Sequence, residues 1–398
     1  MKPAIFFISG LMVSLTIMNC SLTKQPLPSL RPELRAELTA WIEEHGTTPE
    51  QYIVSKFKDH DIVFLGEYHR IRHDVLLVQN VIPILHQNGV YDLGLEFLRF
   101  CDQKIIDSLV TAETYDETLA RKLFWNAWPF WGFKEYVDIL KVAWQLNRSL
   151  PPDARPFRIV GLSGREDWSY VWSEKDLSNE AIMKKVFPDG NADQVMAETI
   201  EREILARKDK ALIYSGINHA YTQFRQPVID QKTGKLKRLT NTRMGNRIYE
   251  KIGDRCCTIF LHAPWPPITG YGDPYVYPAD GVIDALFANL PPGKQRVGFD
   301  IKGSPFGKLH AKTSLWSITA PNFRLEMFCD GWIHQMPLSR YEGVTVIPDW
   351  FNETNRLEAI SQMANPNPRV KRLDQTVKEL MEGMAWDCDF KRRFRRFY

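Results

Sequence analysis

Ile62-Val63-Phe64-Leu65-Gly66-Glu67-Tyr68-His69 is an apolar run that stops at a glycine and then delivers an acid and an imidazole. Four uninterrupted apolar residues read as a strand buried on both faces, the pattern of a parallel sheet covered by helices. The same pattern recurs along the chain. Residues 61–66, 91–97, 157–161, 211–216, 256–262 and 297–301 are short apolar runs, and helix-period segments at 75–85, 134–146, 192–206 and 282–290 separate most of them. This alternation predicts βαβ units, hence an α/β fold with a mainly parallel β-sheet flanked by helices and with helical N- and C-terminal extensions.

In such sheets ligands bind beyond the carboxyl ends of the strands, so the residues that follow each run are the candidates for chemistry. After 62–65 come Glu67 and His69, and then His73; the run 91–95 delivers Glu96; 211–215 delivers Gly216-Ile217-Asn218-His219; 257–261 delivers His262. Glu67 and His69 share a side if the chain stays extended, and His69 and His73 share a face if a helix begins near Arg70. Glu96 ends a buried strand, where a carboxylate is costly unless paired, hydrogen-bonded or metal-bound; Arg70 and Arg72 are its alternative partners. Glu67, His69, His73, Glu96 and His219 are therefore expected around one volume, their tips within roughly 8 Å of a common centre, with His73 at its rim. Imidazoles and carboxylates suit a divalent metal ion, held by His69, Glu96 and His219, and equally serve as base and electrostatic partner without a metal. Taken singly, each histidine also reads as a structural one. The aromatic stretch 124–133, with Trp125, Trp128 and Trp131, reads either as a pocket edge or as a packed corner of the core.

The 398 residues are 44% hydrophobic and 25% charged, an ordinary globular composition, and a net charge of +3 excludes a general nucleic-acid footprint. Lys2 and the apolar run 4–18, ending at Cys20, read as a signal peptide of the lipoprotein kind at 1–20. That implies export, a bacterial cell-envelope location and a membrane anchor. The prolines of 21–32 make a tether, and 33–45 reads as an amphipathic helix. The main domain is expected over 46–347, and 348–398 as a helical, basic extension with a last helix at 373–384. Its end, Phe390-Lys391-Arg392-Arg393-Phe394-Arg395-Arg396-Phe397-Tyr398, reads as a solvated charged tail, with contact to anionic lipid as the alternative. Beyond Cys20 five cysteines remain, an odd number without CxxC spacing, so complete pairing and a zinc-thiolate site are both disfavoured.

The two Gly-x-x-His loops, Gly66 to His69 and Gly216 to His219, with Glu67 or Glu96 between them in order, resemble the superfamily of TIKI/TraB proteases, erythromycin esterases and ChaN-like haem-uptake lipoproteins. Gly66-Glu67-Tyr68-His69 with His73 and Gln79 is similar to the ChaN-like stretch. Erythromycin esterases place two residues between the first Glu and His, where only Tyr68 stands here, and ChaN-like sequences continue with Asp-Asn where Arg70-Ile71 stands. The resemblance implies a metal-dependent or metal-assisted hydrolase of an ester or amide, acting on a small molecule or peptide, with Glu67 as base or additional ligand and His73 assisting proton transfer. It alternatively implies a haem-binding surface lipoprotein without turnover, with Tyr68 and His73 as exposed axial ligands.

Overall fold

The computed structural model describes residues 24–230, 233–270 and 274–398; the segment read as a lipoprotein signal, with Cys20, lies outside the described residues. Each apolar run becomes a strand: β1 (Ile62–Glu67), β2 (Asp92–Arg99), β3 (Arg158–Ser163), β4 (Ala211–Gly216), β7 (Cys256–Leu261) and β8 (Val297–Asp300). Three strands escaped the sequence reading. β5 (Gln226–Ile229) and β6 (Leu236–Thr240) form a separate, partly exposed hairpin, and β9 (Gly331–His334) is too short to show a period. The main sheet has the order β3-β2-β4-β1-β7-β9-β8 and is parallel except for β8 against β9.

The uninterrupted apolar runs follow from burial on both faces. On β1, Val63 and Leu65 enter one core while Ile62 and Phe64 enter the other; on β4, Leu212 and Tyr214 oppose Ala211 and Ile213 in the same way. The helices Arg72–Gln87 and Lys134–Ser149 cover the first face, and Ala192–Glu203, Met244–Ile252 and Pro32–His45 the second. A fully buried aliphatic side chain contributes about 1.5–3 kcal/mol over an exposed one, so a slip of one residue, which exchanges the faces of every side chain on a strand, is strongly disfavoured.

This topology fixes where a site can lie. β1 leads into Arg72–Gln87 on the first face, whereas the chain leaving its neighbour β4 reaches Met244–Ile252 on the second. The crevice between the carboxyl ends of β1 and β4 is thus a topological switch point. Register brings Glu67 opposite Gly216, and Leu95 of β2 opposite Tyr214, so Glu96 arrives one strand away at nearly the same height.

The C-terminal residues are not a solvated tail. Phe390, Phe394 and Phe397 are buried against Ile71, Tyr277 and Tyr341, leaving Lys391 and Arg395 exposed. Five cations among four aromatic residues look charged in sequence, but spacing by three and four gives the phenylalanines a common face. All five cysteines of the described residues are free.

Candidate active site

Glu67 ends β1 and is sealed from solvent, with 1% exposure. Its oxygens accept from the Tyr136 hydroxyl at 2.6 and 2.8 Å, from the Tyr214 hydroxyl, and from His69 Nδ1 at 2.7 Å. Burial first, and then the Glu67 charge, push both phenols well above their ordinary range, so both stay protonated donors. Three donors offset the cost of burying the carboxylate. Because a carboxylate only accepts, His69 presents Nδ1–H to Glu67, and in the neutral tautomer this contact selects, the lone pair lies on Nε2. The turn that aims it is strained: Arg70 has φ 74°, and its N–H is held by the Tyr136 hydroxyl at 2.9 Å.

His219 repeats the arrangement from the end of β4. Its Nδ1 lies 2.7 Å from Asp193 Oδ1, and Asp193 is fully buried where Arg243 Nη1 (3.2 Å) and the Met244 N–H (2.9 Å) also reach it. Glu96 bridges toward the other ring nitrogen, Oε1 to His219 Nε2 at 3.4 Å, while its Oε2 accepts the Gly216 N–H at 2.6 Å. Burial alone would lower the His219 pKa, but Asp193 and Glu96 override it and lift it to about 9, so His219 is an imidazolium at neutral pH. Asp193 is correspondingly held below the usual carboxylate range, burial being outweighed by His219 and Arg243.

The two loops meet over Gly216. A Cβ there would stand 2.7 Å from His69 Nε2 and 3.5 Å from Glu96 Oε2, so the glycine is required by close approach. The side chains of His69, His219 and Glu96 are 35%, 19% and 18% exposed, whereas those of Glu67 and Asp193 are 0% exposed. The site is therefore two-layered, with three solvent-reaching groups above two sealed carboxylates. Phe97 and Trp131, stacked at 4.7 Å, wall one side, and both meet the His69 ring edge-on. Trp125 and Trp128 do not reach it; their indoles bond Glu358 and the Gln362 carbonyl in the C-terminal extension.

Of the residues proposed from sequence, Glu67, His69, Glu96 and His219 come together and His73 does not. The helix begins at Arg72 rather than Arg70, and the left-handed Arg70 turns the chain between, so His69 and His73 never share a helical face. His73 points instead toward Tyr341, ring to ring at 4.5 Å, and burial above all, with His262 behind it, drives its pKa to about 3. His262 is also sealed, bonded to Asp284 at 3.0 Å. Gln79 bonds the Glu135 carbonyl. Arg70 and Arg72 pair with Asp387 and Glu135, not with Glu96.

The expected metal centre finds no support in the geometry. Among the described residues no group of three His, Cys, Asp or Glu side chains is placed to hold a metal ion. Nor do Tyr68 and His73 fit haem as exposed axial ligands. The Tyr68 hydroxyl lies 2.8 Å from the Tyr275 hydroxyl and accepts from Arg393 at 2.8 Å beneath the C-terminal residues, and His73 is enclosed.

Four supporting residues carried no signal in the sequence. Tyr136 and Tyr214 sit in apolar runs, and Asp193 reads as an ordinary first-turn acid of Ala192–Glu203. Glu166, after β3, is half-buried with its carboxylate accepting from the Trp168 indole at 3.0 Å; burial first, and the nearby Glu96 charge, raise its pKa.

Residues 53–186 match the family model described as haem-binding uptake, Tiki superfamily, ChaN. The resemblance to that superfamily is thereby borne out over this segment, which includes β1, β2, Glu67, His69 and Glu96. No curated protein matches the chain. Among solved structures, a succinoglycan biosynthesis protein aligns at 12% identity over 80% of this chain and 100% of its own, with TM-score 0.52. A mutant erythromycin esterase in its open conformation aligns at 12% identity over 71% and 92% (TM-score 0.47), and the haem-binding ChaN of Campylobacter jejuni at 14% over 55% and 88% (TM-score 0.36). At these identities the first likeness is one of fold alone: the mainly parallel sheet with flanking helices.

Proposed function

We propose that the chain is an exported, lipid-anchored hydrolase of an ester or amide bond that works by paired histidines rather than through a metal ion. The observation that carries this reading is the asymmetry of the pair. Each histidine is fixed at Nδ1 by a sealed carboxylate at 2.7 Å, yet His219 also meets Glu96 at its Nε2 (3.4 Å), which favours its imidazolium, whereas His69 in its Nδ1–H tautomer offers an Nε2 lone pair. A base and an acid fixed side by side at one pH are the equipment of acid–base catalysis.

In this mechanism His69 Nε2 takes a proton from water as the water oxygen attacks the carbonyl carbon, and Glu67 stabilises the resulting imidazolium. The tetrahedral intermediate collapses as His219 Nε2–H gives its proton to the leaving oxygen or nitrogen, with Glu96 orienting that ring; solvent exchange restores both histidines. Glu67 is a positioning residue, since no substrate reaches a carboxylate with 1% exposure. Phe97 and Trp131 limit water and shape the acyl or alcohol side.

The test is hydrolysis of a panel of chromogenic esters and anilides, repeated after dialysis against a chelator. Turnover that survives chelation and disappears in His69→Ala supports the reading. Activity lost on chelation and restored by a divalent ion would replace it with metal-assisted hydrolysis.

A further inference from the structure

The start and end of the described chain lie against each other. The Gln25 N–H donates to the Arg396 carbonyl at 2.7 Å, which lays the tether along the C-terminal residues. Those residues are two-faced: Phe390, Phe394 and Phe397 are buried, Arg393 turns inward to Tyr68, and Lys391 and Arg395 are exposed, as is Lys24 on the tether. The neighbouring acids are occupied, Asp387 by Arg70 and Asp389 by the Arg392 N–H that it caps. The outward charge beside the tether is therefore positive.

We propose that Lys24, Lys391 and Arg395 form a docking surface for anionic phospholipid headgroups. The proposal rests on the anchoring at Cys20 put forward above. Five residue steps separate Cys20 from Gln25, and five extended steps span at most about 18 Å, so an acyl anchor on Cys20 keeps this face within that distance of the bilayer. Cations near an anionic leaflet are each attracted weakly, and the attraction is screened beyond about 8–10 Å. Three such groups bind weakly alone, but an anchor makes the contact intramolecular and so raises its effective concentration. Because Arg393 bonds Tyr68, one residue from His69, the docked face would hold the pocket mouth at a set orientation to the membrane.

The test is amine acetylation of the full-length protein in phosphatidylcholine vesicles with and without phosphatidylglycerol, read lysine by lysine by mass spectrometry. Lys24 and Lys391 should react several-fold more slowly on the anionic vesicles. The difference should vanish at high salt, and Lys208, exposed at the amino end of β4 on the far side of the sheet, should react equally on both. Arg395→Glu should return Lys391 to its unprotected rate with hydrolysis unchanged. Equal reactivity of Lys391 on the two compositions, protection that persists in Arg395→Glu, or equal slowing of Lys208 would overturn the proposal. Release of the protein from zwitterionic vesicles alone would remove the anchoring premise and leave the lipid contact readable on the anionic ones.

Discussion

Two clusters of histidine and carboxylate flank the turn after β1, made of the same residue types and put to opposite uses. In the pocket, His69 and His219 reach solvent and each has a sealed carboxylate at 2.7 Å. In the second cluster His262 and His334 are sealed and His73 is largely buried, among Asp74, Asp284, Gln335 and Tyr341. There the Trp332 indole donates to His262 Nδ1 at 3.3 Å, and His334 donates Nδ1–H to the Gln295 carbonyl at 2.6 Å while stacked on Phe287 at 4.0 Å. Burial dominates the second cluster and keeps His73 and His334 neutral, whereas in the pocket paired carboxylates overcome burial and hold a proton on His219. The partner at each ring nitrogen, not residue type, separates His219 from the packed histidines.

The sharpest way to break this comparison is to empty one histidine from each cluster. His69→Ala should lower turnover on the order of 10²–10⁴-fold with little change in melting temperature, because it removes a partly exposed base. His73→Ala should do the reverse, leaving turnover nearly intact while destabilising the fold by about 2–3 kcal/mol through the cavity it opens. Equal losses of activity in the two variants would mean that the clusters act as one site.

How far the pocket was legible in sequence depended on what each residue needs from its neighbours. Glu67, Glu96 and His219 follow continuous apolar runs, and strands buried on both faces announce where their carboxyl ends fall. His73 was placed wrongly at the pocket rim, because its direction hangs on whether the helix starts at Arg70 or Arg72, and the left-handed Arg70 has no glycine to signal it. The choice between a metal centre and an acid–base pair was beyond composition, since it turns on Asp193, which meets His219 only after folding. The C-terminal phenylalanines were hidden by the cations between them.

A smaller perturbation probes the spacing of the pocket pair. In Gly216→Ala the new Cβ would meet His69 Nε2 at 2.7 Å, so the ring must swing away. Turnover should fall about 10–100-fold for a misplaced base, while overpacking costs about 1–3 kcal/mol of stability. Wild-type turnover in Gly216→Ala would show that His69 Nε2 does not work over β4.

The clusters should also oppose each other in pH dependence. Folding raises the His219 pKa from 6.5 to about 9, so its protonation contributes stability that is fully present below pH 6.5 and is lost as pH rises through about 9. Folding lowers the His73 pKa from 6.5 to about 3; the unfolded chain then takes up the proton first, and stability is lost as pH falls from about 6.5 toward 3. Urea unfolding free energies across pH should therefore flatten on the alkaline side in His219→Gln, by at most about 3 kcal/mol, and on the acid side in His73→Gln, by at most about 5 kcal/mol. A shared change on one side in both variants would contradict the separation.

The protonation states themselves can be read directly by ¹⁵N NMR of histidine-labelled protein over a pH series. His219 should keep both ring nitrogens protonated up to about pH 9, neutral His69 should carry its proton on Nδ1, and His73 should stay uncharged until the pH falls to about 3. A His219 that loses its proton near pH 6.5, or a His69 protonated on Nε2 alone, would contradict the claim that this pocket pairs an acid with a base.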